Sequence, residues 1–102
     1  MIYGGTRGHV FAIDPATGEE RWRTKLSTGF FNAAYAQDVM VLVRDGTVIA
    51  GCNGHMWGLD AQHGGILWHN GLSGLGHDAI SMAAEGVAIQ YVHKHTRSQN
   101  NG

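Results

Sequence analysis

Short alternating or apolar runs closed by turn residues fill most of the chain: IYGG, HVFAID, RWRTKL, VMVLV, TVIAG, HMWGLD, ILWH, AISMAA and VAIQYV. Runs this short, rich in Val, Ile, Trp, Phe and Tyr, are strands joined by tight hairpins. No segment carries a helical stripe, so the expected fold class is all-β. Arg44-Asp45-Gly46 and Cys52-Asn53-Gly54 read as hairpin turns, because Asp-Gly and Asn-Gly accept the positive φ of a type I′ loop. Four strands follow in one unit: Val39 to Val43, Thr47 to Cys52, His55 to Asp60 and Gly65 to Asn70.

The pattern then repeats. AIDPATGEERW at residues 12–22 returns as GLDAQHGGILW at residues 58–68, 46 positions later. With residues 5–27 laid on 51–73, Gly5/Gly51, Gly8/Gly54, His9/His55, Asp14/Asp60, Gly18/Gly64, Trp22/Trp68, Leu26/Leu72 and Ser27/Ser73 coincide. Phe11/Trp57 and Ile13/Leu59 are apolar for apolar. Each residue type has a physical reason to recur. The Asp accepts backbone N–H bonds across a turn, the Gly takes a left-handed position, and the indole covers apolar surface of an adjoining unit. A four-stranded antiparallel meander repeated at 40 to 50 residues is a β-propeller blade, a unit that must stack on copies of itself to bury its faces.

Composition narrows the function classes. Seven Lys+Arg against eight Asp+Glu give a formal net charge of −1, so there is no basic field for phosphates or anionic lipid, and nucleic acid is not an expected partner. No stretch approaches the roughly 18 apolar residues of a membrane span and the N-terminus MIYGGTRGHV lacks a long apolar core, so neither membrane insertion nor export is expected, leaving the cytoplasm by default. Cys52 is the sole cysteine, which forbids an internal disulfide and is read as a small inert thiol.

Ala12-x-Asp14-x-x-Thr17-Gly18-x-x-x-Trp22 resembles the tryptophan-docking motif of the pyrroloquinoline quinone (PQQ)-like propeller repeat family. The second copy keeps Asp60, Gly64 and Trp68 but carries Gly58 for the Ala and His63 for the Thr. The resemblance implies the propeller architecture and gives Asp14, Thr17, Gly18, Trp22, Asp60, Gly64 and Trp68 structural roles. It does not select an activity, since the superfamily includes quinoprotein dehydrogenases, outer-membrane assembly scaffolds and short proteins of no known activity. The dehydrogenases gather adjacent disulfide-linked cysteines, a Trp floor under the quinone, a calcium site and a catalytic Asp from many blades. Here there is one cysteine, both motif tryptophans have docking roles, and Asp14 and Asp60 occupy equivalent turns. No catalytic residue and no cofactor is assigned.

Histidine supplies the remaining chemistry. His93 and His95 in YVHKHT share one face of an extended strand, as metal ligands can, but a Zn or Cu site needs three or four ligands. They stand as the weak metal candidates beside an expectation of no metal. His9 and His55, each following a hairpin glycine, are expected at exposed strand starts. The segment HTRSQNNG closes a polar tail over 93–102.

Residues 1–92 are thus expected to form two blades in circularly permuted phase. Residues 1–26 supply three strands of a first blade, 39–72 a complete second blade, and 79–92 a strand that completes a neighbour's blade. Propellers typically need 4 to 8 blades, so the expected state is a homo-oligomeric ring, a trimer or a tetramer with the tetramer favoured. The expected function is a noncatalytic scaffold or binding module for a protein or small-molecule ligand. The alternatives are a fragment or diverged relative of a PQQ-dependent dehydrogenase, and a histidine-based metal-binding protein.

Overall fold

The computed structural model describes residues 1–27 and 38–86. These residues form seven strands: β1 (Ile2–Thr6), β2 (His9–Ile13), β3 (Glu20–Lys25), β4 (Met40–Arg44), β5 (Thr47–Cys52), β6 (His55–Asp60) and β7 (Ile66–Asn70). No helix occurs among the described residues. The strands make two antiparallel meanders, a three-stranded sheet in the order β1-β2-β3 and a four-stranded sheet in the order β4-β5-β6-β7. The 46-residue period maps β1, β2 and β3 onto β5, β6 and β7, so the first sheet has no counterpart of β4. Two sheets do not close a ring.

The hairpins explain the register. Arg7-Gly8, Asp45-Gly46 and Asn53-Gly54 each hold both central residues at positive φ, 47° and 74°, 51° and 76°, 52° and 81°. That is the type I′ geometry whose twist matches the flanking strands. Each meander also carries one register shift at the same repeat position, between Ala12 and Ile13 and between Gly58 and Leu59. Both lie just before the Asp of the motif, where the chain leaves the sheet for its turn.

Because strand neighbours alternate faces, the pairings sort the side chains. Tyr3, Val10, Ala12, Trp22 and Thr24 share one face of the first sheet. Val48, Ala50, Trp57, Leu59 and His69 share one face of the second. These two faces meet, and most of the core lies between them: Val10, Leu26, Val48, Ala50, Trp57 and Leu59 are fully buried, and Val39 and Ala61 nearly so. Trp57 is the largest fully buried side chain. Its indole N–H donates to the Ser27 carbonyl at 3.1 Å, which satisfies the polar edge of an otherwise apolar ring. Leu26 is held in this core by its own N–H, which donates to Gly8 at 2.9 Å.

The chain between the sheets crosses the first one closely. A Cβ built on Gly5 would stand 2.6 Å from Val39 Cγ1, so the glycine makes room for the valine. Beyond β7 the same device recurs: the repeat equivalent, Gly51, lies under Ile80, whose Cβ would be 3.1 Å from a Cβ built there. Residues 79–84 form no strand among the described residues, and Glu85-Gly86 make a turn. The rest of the segment expected to complete a neighbour's blade, residues 87–92, lies outside the described residues. So do His93, His95 and the polar tail.

Candidate functional site

The two copies of the Asp–Gly–Trp repeat build one turn twice. In the first, Asp14 accepts the Ala16 N–H on its carboxylate at 2.9 Å and the Gly18 N–H on its carbonyl at 2.7 Å, while its own N–H donates to Glu19 at 2.8 Å. In the second, Asp60 accepts from Gln62 at 2.8 Å and from Gly64 at 2.8 Å, and donates to Gly65 at 2.8 Å. Gly18 and Gly64 sit at φ +77° and +82°, which glycine adopts without strain. The departure from the motif at His63 is neutral for the turn. Thr17 accepts the Glu19 N–H on its hydroxyl at 3.2 Å, and His63 accepts the Gly65 N–H on Nδ1 at 3.1 Å.

Among the described residues only the second turn is covered. Trp22 reaches from β3 across to it and donates its indole N–H to the Ala61 carbonyl at 3.1 Å, an acceptor shared with the Tyr3 hydroxyl at 3.2 Å. The Thr24 hydroxyl donates to the Gly64 carbonyl at 2.6 Å. The indole lies so close over the turn that a Cβ on Gly64 would stand 2.5 Å from Trp22 Cε3. Gly64 is therefore required twice, for its φ and for the space above it. Ala61 and Gly64 are buried by this contact, whereas their counterparts Pro15 and Gly18 are exposed.

Trp68, the repeat partner of Trp22, covers no turn among the described residues. Its indole lies over Gly58 of its own sheet, where a Cβ would collide with it, and it remains 43% exposed. The sequence reading gave both motif tryptophans docking roles; in the structure Trp22 reaches the other sheet, whereas Trp68 stays on its own sheet and partly exposed. With Trp68 half in solvent, its deletion removes much less buried surface from the chain than a docked indole would.

On the core-side face of β6 and β7 the structure gathers histidines that the sequence left apart. His55 Nδ1 and His69 Nε2 are 2.7 Å from each other. Their ring planes are within 15° and their centroids 5.0 Å apart, so the rings meet edge to edge and one N–H donates to the lone pair of the other. Trp57 packs beside both rings, at 5.7 Å from His55 and 5.2 Å from His69, and His77 lies 6.3 Å from His55. Partial burial first, and the neighbouring His69 and His77 second, push the His55 pKa below the ordinary histidine value. The facing nitrogens already bond each other, and among the described residues no group of three His, Cys, Asp or Glu is arranged to hold a metal ion. Cys52 is buried, and its thiol is pushed up to about 11 by desolvation and, secondarily, by the charge of Asp38. At neutral pH it is a thiol and a poor nucleophile.

The first sheet carries an open hollow of about 280 Å³ lined by Thr6, Arg7, His9, Phe11 and Arg23. The repeat places Phe11 where the second sheet has Trp57, and His9 and Arg23 where it has His55 and His69. The hollow thus marks, on the first sheet, the face that the second sheet presses against its neighbour. Among the described residues no helix is long and apolar enough to cross a membrane.

No curated protein matches the chain. A family model described as outer membrane protein assembly factor BamB matches residues 1–96, nearly the whole sequence. Two stacked meanders, a twice-built Asp–Gly turn and a tryptophan bridging one blade to the next are what that match covers, and the chain belongs to this PQQ-like repeat family.

Proposed function

We propose that the chain is a noncatalytic β-propeller module whose ring is completed by several copies, three giving six blades or four giving eight. The observation that carries this reading is the Trp22 contact: it joins one sheet to the next inside the chain, while the surfaces that correspond to its two halves at the ends of the pair are not covered by any of the described residues. Among the described residues β1 pairs only with β2, and a sheet edge left unpaired invites another strand. The family description, an assembly factor, favours binding over catalysis. A buried high-pKa thiol and two aspartates engaged in turn hydrogen bonds also fit a scaffold better than a redox centre.

Light scattering on the intact 102-residue chain tests the ring. The expected mass is three or four times the 11.0 kDa of one chain. A well-folded monomer at micromolar concentration would overturn it. Incubation with PQQ and calcium tests the noncatalytic part: no chromophore is expected to survive gel filtration, and a saturable one would return the chain to the dehydrogenase class.

A further inference from the structure

We propose that the hollow on the first sheet binds a small aromatic carboxylate, with Phe11 against its ring and the guanidinium groups of Arg7 and Arg23 on its acid group. The site does not depend on the ring of copies. The two copies of the repeat differ in charge at this place. Around Trp57 the second sheet has Asn53, His55 and His69, whereas around Phe11 the first has Arg7, His9 and Arg23. Two fixed positive charges are therefore confined to the first copy.

Arg7 stands against the preference of its own turn. It holds φ 47° in a hairpin whose equivalents carry Asn53 and Asp45, residue types that enter the left-handed region more readily than arginine does. A side chain kept where the backbone disfavours it points to a role for that side chain. Among the described residues no carboxylate pairs with Arg7, and it lines the hollow.

The other groups are held in place before anything binds. Arg23 gives Nε and Nη2 to Glu20 at 2.6 and 2.8 Å, which fixes the guanidinium plane and leaves Nη1 outside the pair. Glu20 also offsets one of the two cations, so the site is matched to a single carboxylate. His9 donates Nδ1–H to the Arg7 carbonyl at 2.8 Å, which ties the imidazole to the hairpin. The Phe11 ring lies over Gly4, where a Cβ would stand 2.6 Å from its Cζ. Groups ordered in advance lose little freedom on binding, and affinity gains accordingly.

Size and access select the ligand. A hollow of about 280 Å³ takes one ring with a short acid arm, and not a folded segment. On the second sheet, His55 and His69 show how flat polar groups reach the aromatic at this repeat position, packing on Trp57 at 5.7 and 5.2 Å. His69 is exposed and His55 partly so, although Trp57 itself is sealed against the first sheet. A neighbour laid over Phe11 in the same way would leave the cationic rim reachable.

Phenylacetate is the probe, followed by amide NMR of the intact chain with light scattering on the same sample. Saturable shifts at millimolar concentration are expected at His9, Phe11 and Arg23. Phenylacetamide, acetate and inorganic phosphate should each bind about tenfold more weakly or worse, since each lacks either the charge-assisted contact or the ring contact. Arg7→Asn gives the first hairpin the residue of the second, so the variant should melt no lower than the parent and still bind phenylacetate about tenfold more weakly. The absence of a saturable shift, equal binding of any of the three control compounds, or parental affinity in Arg7→Asn would each overturn the site. A monomer that binds phenylacetate in this way sinks the ring and leaves the site standing; a ring that does not bind it does the reverse.

Discussion

The two sheets carry the same residues in the same register, yet they do not bury them alike. Asp14 and Asp60 fold their turns with matching hydrogen bonds, but only the second turn lies under a tryptophan. Phe11 and Trp57 occupy one repeat position, but Phe11 borders an open hollow while Trp57 is sealed between the sheets. The difference separates two scales of information. Turn geometry is local, set by an Asp, an oxygen or nitrogen acceptor two residues before the end, and a Gly. Burial is set by what stands next to the blade, and the end blades differ from an interior one only in having one neighbour.

Substitutions made in pairs across the repeat would break that comparison if burial were not the distinguishing term. The largest contrast is expected at the aromatic position. Trp57→Ala should cost about 3 to 5 kcal/mol, the usual range for a buried indole, whereas Phe11→Ala in the dissociated chain should cost about 1 kcal/mol. Urea unfolding of both variants below the assembly concentration checks this, and equal losses would mean that the hollow is not open in solution. Next come the glycines. Gly18→Ala and Gly64→Ala share the strain of a left-handed alanine, about 1 kcal/mol. Gly64→Ala must also displace Trp22 and Thr24, so it should lose about 1 to 3 kcal/mol more. Thermal melts of the two proteins under the same dilute conditions measure the gap.

The smallest expected effect concerns the histidine pair. His55 is held below its ordinary pKa, so the unfolded chain binds a proton more readily than the folded one. Stability is therefore complete above about pH 6.5, falls as the pH drops from there to the lowered pKa, and levels off below it. A His55→Gln variant should flatten that part of the stability–pH curve. An unchanged slope would show that neither burial nor the neighbouring His69 and His77 lowers the His55 pKa.

Much of the fold was legible because it is written in local chemistry. The runs and Asp-Gly or Asn-Gly pairs located the seven described strands, though the run AISMAA at 79–84 forms none, and the 46-residue repeat placed both turns and both motif tryptophans. The Arg7-Gly8 hairpin was not singled out, since arginine is an unusual residue at φ 47°, although its alignment with Asn53-Gly54 carried the signal. Trp57 read only as an apolar match for Phe11, because no pattern along one strand tells which face meets another sheet. The His55–His69 pair was hidden for a related reason. The two residues are diagonal neighbours only once the register of β6 and β7 is fixed. The substitution of His63 for Thr17 looked like decay of the motif, and the structure shows the imidazole accepting the equivalent backbone N–H.

The outermost strands of the two sheets also differ in what they present to solution. β3 reads ERWRTK, with Arg23 paired to Glu20 and Arg21 to Glu19, so a strand from another molecule that lay alongside would have to strip or bury charge. β7 reads ILWHN, exposed at every position and without a fixed charge. Edges of the first kind carry gatekeepers against self-templating; edges of the second kind are where lateral, amyloid-like pairing starts. β7 is thus the more exposed to such pairing of the two, and a lysine placed at Leu67 is expected to protect that edge with a single side chain.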